Sequence, residues 1–245
     1  MAHQAVKYLL GFFLLLWLLA YWRSGSLPDP VHLHADLQSE PQQTPTTQAP
    51  FTVRVADIEY QIKPLYDYEL YGLVVSEHNT DSWWNWIHEA NADFLNIKDI
   101  CVIWGNNARN GSYQDISFSS GQFVCNLSTR STEAWQAFDQ KAISNNHLLS
   151  DNPRLARLLK SARVGDQIYV KGYLAEYSHQ HGFNFKRGTS ITRDDTGNGA
   201  CETVFVTEAH LLRRGNEAWR LLRHGAPLGV LGCVLAWFWL PMRLR

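Results

Sequence analysis

The sequence predicts an α+β protein: a mainly β domain with helical additions, flanked by two membrane helices. Three observations lead there. Residues 8–22 and 228–242 are uncharged, fifteen residues each, and rich in Leu, Phe and Trp, the composition of membrane segments. Between them, short runs of Val, Ile, Tyr and Phe recur between turn residues, as strands do. Two of those runs hold an internal glycine, Gly72 and Gly172, and a glycine within a strand marks a bulge or bend that curls a sheet.

Composition narrows the function classes. The chain has 245 residues, 45% of them hydrophobic, which suits one medium domain with appendages. A net charge of −1 supplies no basic surface for general nucleic-acid binding, so no nucleic-acid partner is expected. Four cysteines without a C-x-x-C spacing make neither a disulfide framework nor a zinc ribbon. One disulfide fits a domain outside the cytoplasm. No cofactor is implied.

Residues 1–23 form the first anchor. Lys7 and Arg23 bracket the apolar run, and its bulky end, Ala20-Tyr21-Trp22, offers no small-x-small cleavage site, which favours an uncleaved helix over a signal peptide. Residues 24–50, rich in Pro, Gln, Thr and Ser, predict an extended tether, because this composition buries too little apolar surface to offset its ordering entropy. The folded domain runs over residues 51–212. Alternating apolar residues predict strands at 51–61 and 69–76, and Asp81 suits the N-cap of a short helix carrying Trp83, Trp84 and Trp86. Residues 100–104 form a continuous apolar run for a central strand, and 117–118 with 122–125 flank a Ser-Ser-Gly turn as a hairpin. Helices follow over 131–143, capped by Ser131, and over 152–162, with Pro153 in the first turn. The clearest strand, 165–177, opens on a Gly-Asp turn, and after a polar loop at 178–200 the run 202–208 closes the set.

Arg213, Arg214, Arg220 and Arg223, spaced by leucines over 209–224, suit an interfacial helix, with 213–225 as its basic juxtamembrane part and 226–245 as the second membrane segment. Lys7 and the terminal arginines favour cytoplasmic ends with the domain on the exterior or periplasmic side, whereas the arginines before the second segment favour the reverse. The first helix takes precedence and places the domain outside. The expected partners are the lipid bilayer and a protein or envelope component.

Tyr71-Gly-Leu-Val-Val, Asp99-Ile-Cys-Val-Ile-Trp, Gln122-Phe-Val-Cys, a helix, Gly165-Asp-Gln-Ile-Tyr-Val-Lys-Gly-Tyr-Leu and Thr203-Val-Phe-Val follow one another along the chain. Over residues 66–212 this order resembles the OB-fold domains, in which a glycine-bearing first strand, a helix before the fourth strand and a Gly-Asp opening of that strand recur. The resemblance implies an OB-like curled sheet or barrel with a binding face for oligonucleotide, oligosaccharide or protein. The basic and aromatic strand pattern that selects nucleic acid is missing, and the long insertion between the last two strands departs from a minimal OB-fold. The chain also resembles membrane-anchored bacterial proteins of unassigned activity, which implies no reaction.

Candidate chemistry gathers in and beside the 178–200 loop. His179 and His181 alternate and would share one strand face, but a third metal ligand is not identifiable, so no metal is expected. Asp194, Thr196, Asn198 and Gly199 open like a calcium loop, yet Phe205 stands where the closing glutamate belongs. Arg187 and Arg193, with Lys186, suit a phosphate or carboxylate, against the simpler reading of a solvated loop. Asp194, Asp195, His179, His181 and Trp84 complete the candidate binding set; the tryptophans pack in the simpler reading and make a stacking platform if exposed. Cys201 beside Glu202, with His147 elsewhere in the chain, poses a thiol hydrolase in which histidine activates a thiolate, although a strand cysteine is more often buried packing or half a disulfide. Cys101 and Cys125 are the disulfide candidates, with Cys125 and Cys201 the rival pairing. Two functions stand: a non-enzymatic, membrane-anchored binding module acting through the 178–200 loop in the cell envelope, and, as the alternative, a membrane-tethered thiol hydrolase.

Overall fold

The computed structural model describes residues 2–80, 90–121, 124–194 and 201–240, in two compact units: residues 27–213, and the two terminal segments outside them. In chain order the strands are β1 (Gln42–Pro45), β2 (Phe51–Val55), β3 (Ile58–Asn79), β4 (Asn96–Ile103), β5 (Ser117–Gly121), β6 (Val124–Ser128), β7 (Ile143–Leu149), β8 (Gln167–His179), β9 (Phe185–Arg187) and β10 (Glu202–Arg213). The helices are α1 (Ala2–Ser24), α2 (Gly105–Asn110), α3 (Thr132–Ala137), α4 (Pro153–Ser161) and α5 (Glu217–Trp239). The fold is α+β.

Five strands close a ring of hydrogen-bonded neighbours in the order β3, β4, β7, β10, β8 and back to β3. All these pairings are antiparallel except β7 with β10, which is parallel. Glycine makes the closure possible where the sequence places it. A Cβ on Gly172 would stand 2.0 Å from the Phe205 carbonyl oxygen, at a register shift in β10, and one on Gly72 would stand 2.9 Å from Val102 Cβ. β3 is one long strand instead of the two expected, and it bends at register shifts beside Pro64 and Ser76. Its first part also forms a hairpin with β2, whose two-residue turn holds Ala56 and Asp57 at φ 48° and 62°.

Alternation along the ring strands sorts the core. One cluster draws Leu70, Val74, Ile100, Val102, Leu148, Val170 and Val204 from all five ring strands, and α4 packs Leu155, Leu158 and Leu159 against it. Lys98 is fully buried near the end of that helix, with Nζ 2.7 Å from Glu77 and donating at 2.6 Å to the Ala162 carbonyl; burial lowers its pKa to about 8 against the pull of Glu77. A second cluster, with Leu73, Cys101, Ile103, Tyr113 and Phe138, is covered by the β5–β6 hairpin, α2 and α3. A third, with Tyr60, Leu95, Leu149, Tyr177 and Phe205, lies further along.

Several expectations are corrected. Residues 27–50 are not a free tether: Leu37 is buried in the second cluster, Tyr113 donates to the Pro28 carbonyl at 2.6 Å, Gln167 donates to the His32 carbonyl at 2.9 Å, and β1 pairs with β3. The polar composition conceals three-residue and four-residue turns of 3-10 helix whose few apolar side chains dock on the domain. The helix expected over 131–143 stops at Ala137, where Phe138 turns extended and packs inward. Residues 209–213 continue β10 instead of opening a helix, because Ala209 and Leu211 pack on the ring cluster.

In the terminal unit, α1 and α5 run antiparallel, and both are long and apolar enough to cross a membrane. Their seam uses a small residue: a Cβ on Gly229 would stand 2.5 Å from the Phe13 ring. α5 is one continuous helix through Pro227.

Candidate functional site

Strand register builds the site on the face of β4, β7 and β10 opposite the ring cluster. Asp99 lies across from His147, and His147 across from Thr203. One step up, Cys101 lies across from Asn145, and Cys201, just before β10, continues the register beside Asn145. Apolar clusters bound this polar band at both ends, through Ile103 and Ile143 above and Leu149 and Phe205 below.

Within the band, His147 Nδ1 is 2.6 Å from Asp99 Oδ1, both side chains are almost fully buried, and Asp99 also accepts from Asn96 Nδ2 at 3.0 Å. The Cys201 thiol is hydrogen-bonded to the same imidazole, which leaves Nε2 for the sulfur. Burial lowers the His147 pKa, but the Asp99 charge, its hydrogen bond and that of Cys201 outweigh it and raise the value to about 9, against the opposing charge of Arg187. Asn145 donates from Nδ2 to Cys201 Sγ at 3.5 Å. Cys201 is partly exposed, unlike the buried His147 and Asp99. Backbone bonds fix it there: its carbonyl accepts from Ser190 N at 2.9 Å, and Thr203 N donates to Thr189 Oγ1 at 2.9 Å. Thiol, imidazole and carboxylate in series are the arrangement of a base-activated nucleophile.

Cys101 and Cys125 are joined by a disulfide, which staples the β5–β6 hairpin to β4. Two strand spacings, about 10 Å, separate Cys101 from Cys201 across Asn145, beyond the about 7 Å that a disulfide bridges. With Cys125 bonded to Cys101, the rival pairing of Cys125 with Cys201 does not form, and Cys201 keeps its thiol.

The structure brings Cys201 and His147 together and adds Asp99 and Asn145, which the sequence reading passed over. The available signal was a charged residue inside the run Asn96-Ile-Lys-Asp-Ile-Cys, since a strand with such neighbours buries Asp99 only with a partner. Glu202 is buried on the opposite strand face, across from Asn146, where its charge adds to burial in raising the pKa of Tyr68, so it lies away from the thiol site. Arg187 lies close enough for its charge to act on both His147 and Tyr177.

The remaining candidates scatter. His179 is a core residue, stacked on Phe185 with ring centroids 4.9 Å apart; Nε2 meets the Asn91 carbonyl at 2.8 Å and Nδ1 accepts from His181 N at 3.2 Å, which makes Nε2 the protonated nitrogen. Both nitrogens are therefore occupied, and the His179 and His181 pair forms no metal site. Among the described residues no group of His, Cys, Asp and Glu is arranged to hold a metal ion. Arg193 covers the Trp104 ring at 5.4 Å and donates to the Pro41 carbonyl at 3.4 Å, while Asp194 pairs with Lys141. Trp84 and Asp195 lie outside the described residues. No protein-family model matches the chain, and no curated protein or solved structure is similar to it.

Proposed function

We propose that the protein is a membrane-anchored domain of OB type that carries a cysteine nucleophile for acyl transfer, with the soluble unit outside the cytoplasm. The single observation that carries the chemistry is the series Cys201, His147, Asp99 on one sheet face. Support for the OB type is the ring order first, second, third, fifth, fourth, with a parallel pairing of the third and fifth strands and α4 ahead of the fourth. The exterior location rests on the disulfide, which persists in oxidising compartments. Anchoring rests on α1 and α5. A binding module acting through the 178–200 loop has less support, because His179, Arg193 and Asp194 are engaged within the domain.

The chemistry follows from the contacts. In its neutral form, which is populated as pH rises toward about 9, His147 takes the thiol proton at Nε2 while Asp99 holds Nδ1–H and stabilises the imidazolium. The thiolate attacks a carbonyl carbon of an ester, thioester or amide; a C–S bond forms and the carbonyl electrons move to oxygen, near the Asn145 amide donor. Collapse expels the alcohol, thiol or amine with the proton from His147. Water, deprotonated by His147, then attacks the acyl-cysteine to release acid and restore the thiol.

The test uses the full chain in detergent micelles with Cys233→Ser, so that Cys201 is the one free thiol. Rates of alkylation by iodoacetamide across pH and turnover of a panel of aryl esters and thioesters are measured. Cys201→Ser should lose on the order of 100-fold or more in turnover at an unchanged melting temperature, and His147→Gln a similar amount at a lowered one, because it leaves the buried Asp99 charge without its partner. Hydrolysis that survives Cys201→Ser, or a Cys201 alkylation profile unchanged by His147→Gln, would reject the proposal.

A further inference from the structure

We infer that the domain-side end of the α1–α5 pair is a clamp for the phosphate of anionic phospholipids. The inference rests on the membrane reading of the two helices and is independent of the thiol site. Arg23 lies over the Trp22 ring at 5.8 Å and the Trp219 ring at 5.9 Å. Arg223 lies over Tyr21 at 4.5 Å and reaches Ser24 Oγ at 3.5 Å. Both guanidinium groups thus sit against aromatic rings, and a guanidinium held in this way meets a phosphate through its N–H groups. Tyr21, Trp22, Arg23 and Arg223 are all exposed, as side chains at the headgroup level must be.

Charge points to the same occupant. In residues 20–26 and 214–224, Arg23, Arg214, Arg220 and Arg223 face Glu217 as the sole acid. Hydrogen bonding fixes the geometry at this end, since Asn216 donates to the Ser26 carbonyl and ties the start of α5 to the end of α1. On the orientation proposed above, these arginines stand on the non-cytoplasmic side, against the usual bias of basic residues toward the cytoplasm. Their placement there is accounted for by a local anion. At the opposite end Lys7 lies over Trp237 at 5.5 Å and His3 packs on the same ring, which gives the pair a second, less basic belt.

The full chain is reconstituted into nanodiscs of equal phosphatidylglycerol and phosphatidylcholine, and the lipids that remain bound on release are counted by native mass spectrometry. Phosphatidylglycerol should be retained in excess by the wild-type chain, and Arg23→Gln with Arg223→Gln should remove the excess, at roughly 5-fold in affinity per arginine. Arg23→Lys with Arg223→Lys keeps the charge without the fork and should retain part of it. Equal retention of the two lipids by the wild-type chain, or an excess that the Gln pair leaves intact, overturns the clamp. So does inorganic phosphate raising the melting temperature in micelles as far as phosphatidylglycerol does. Alkaline carbonate extraction separates the two readings: release of the chain overturns anchoring and clamp together, whereas a retained chain without the lipid excess overturns the clamp alone.

Discussion

Replacing Asp99 by Asn and, separately, Lys98 by Met should split the pH dependence of stability into two opposing halves that largely cancel in the wild-type chain. For His147, burial lowers the pKa but Asp99 and Cys201 raise it from 6.5 to about 9. Its contribution is therefore complete below the unfolded value and is lost as pH rises through about 9, a loss of about 3 kcal/mol. For Lys98, burial lowers the value from 10.5 to about 8 despite Glu77. Its contribution is present above the unfolded value and is lost as pH falls through about 8, again about 3 kcal/mol. The two windows overlap between about pH 8 and 9, so the wild-type chain should show only a minimum about 1 to 2 kcal/mol deep near pH 8.5. Asp99→Asn should leave a rise of about 3 kcal/mol between pH 8 and 10.5, and Lys98→Met a fall of similar size between pH 6.5 and 9. Urea unfolding of the full chain in micelles, followed by tryptophan fluorescence at a series of pH values, reads the profiles directly. Three parallel profiles would refute the assignment, because the slopes are independent of how far each substitution lowers stability overall.

Two further outcomes test the ring itself. Gly172→Ala forces a methyl group against the Phe205 carbonyl and should cost at least about 3 kcal/mol, whereas Gly188→Ala, in open space, should be nearly neutral in the same melting assay. Ala56→Asn with Asp57→Gly supplies residues suited to the positive φ of the β2–β3 turn and should raise the urea midpoint by the equivalent of about 1 kcal/mol; an unchanged midpoint counts against strain at that turn.

Much of the ring was legible because its strands signal themselves locally. Val, Ile and Tyr runs with Gly72 and Gly172 mark where strands lie and where two backbones or a backbone and Val102 approach; a hairpin forms near its expected place, but Ser119-Ser-Gly121 lies inside β5 instead of in the turn, and β6 belongs to a separate two-stranded sheet and not to the ring. β7 was hidden, since Ser144-Asn-Asn-His147 has no apolar alternation: its inward and outward positions are both polar there, held by Asp99, Cys201 and the buried Asn146. The site residues were legible only in part for the same reason. Cys201 and His147 are conspicuous residue types, but their meeting depends on a parallel pairing between strands far apart in sequence, which no local pattern encodes. Asp99 reads as an ordinary strand-start charge until His147 is placed across from it.

On the membrane anchoring proposed above, the length of the helix pair would set how the protein sits among lipids. The uncharged stretch 8–22 of α1, at about 1.5 Å per residue, is roughly 22 Å long, some 8 Å short of a hydrocarbon layer of about 30 Å. A bilayer around such a short hydrophobic span thins, and each ångström of mismatch adds a fraction of a kcal/mol. On the anchoring proposed above, neighbouring copies would share that dimple when they adjoin, so the deformation of the membrane would draw these proteins together and toward its thinner regions without any direct contact between them.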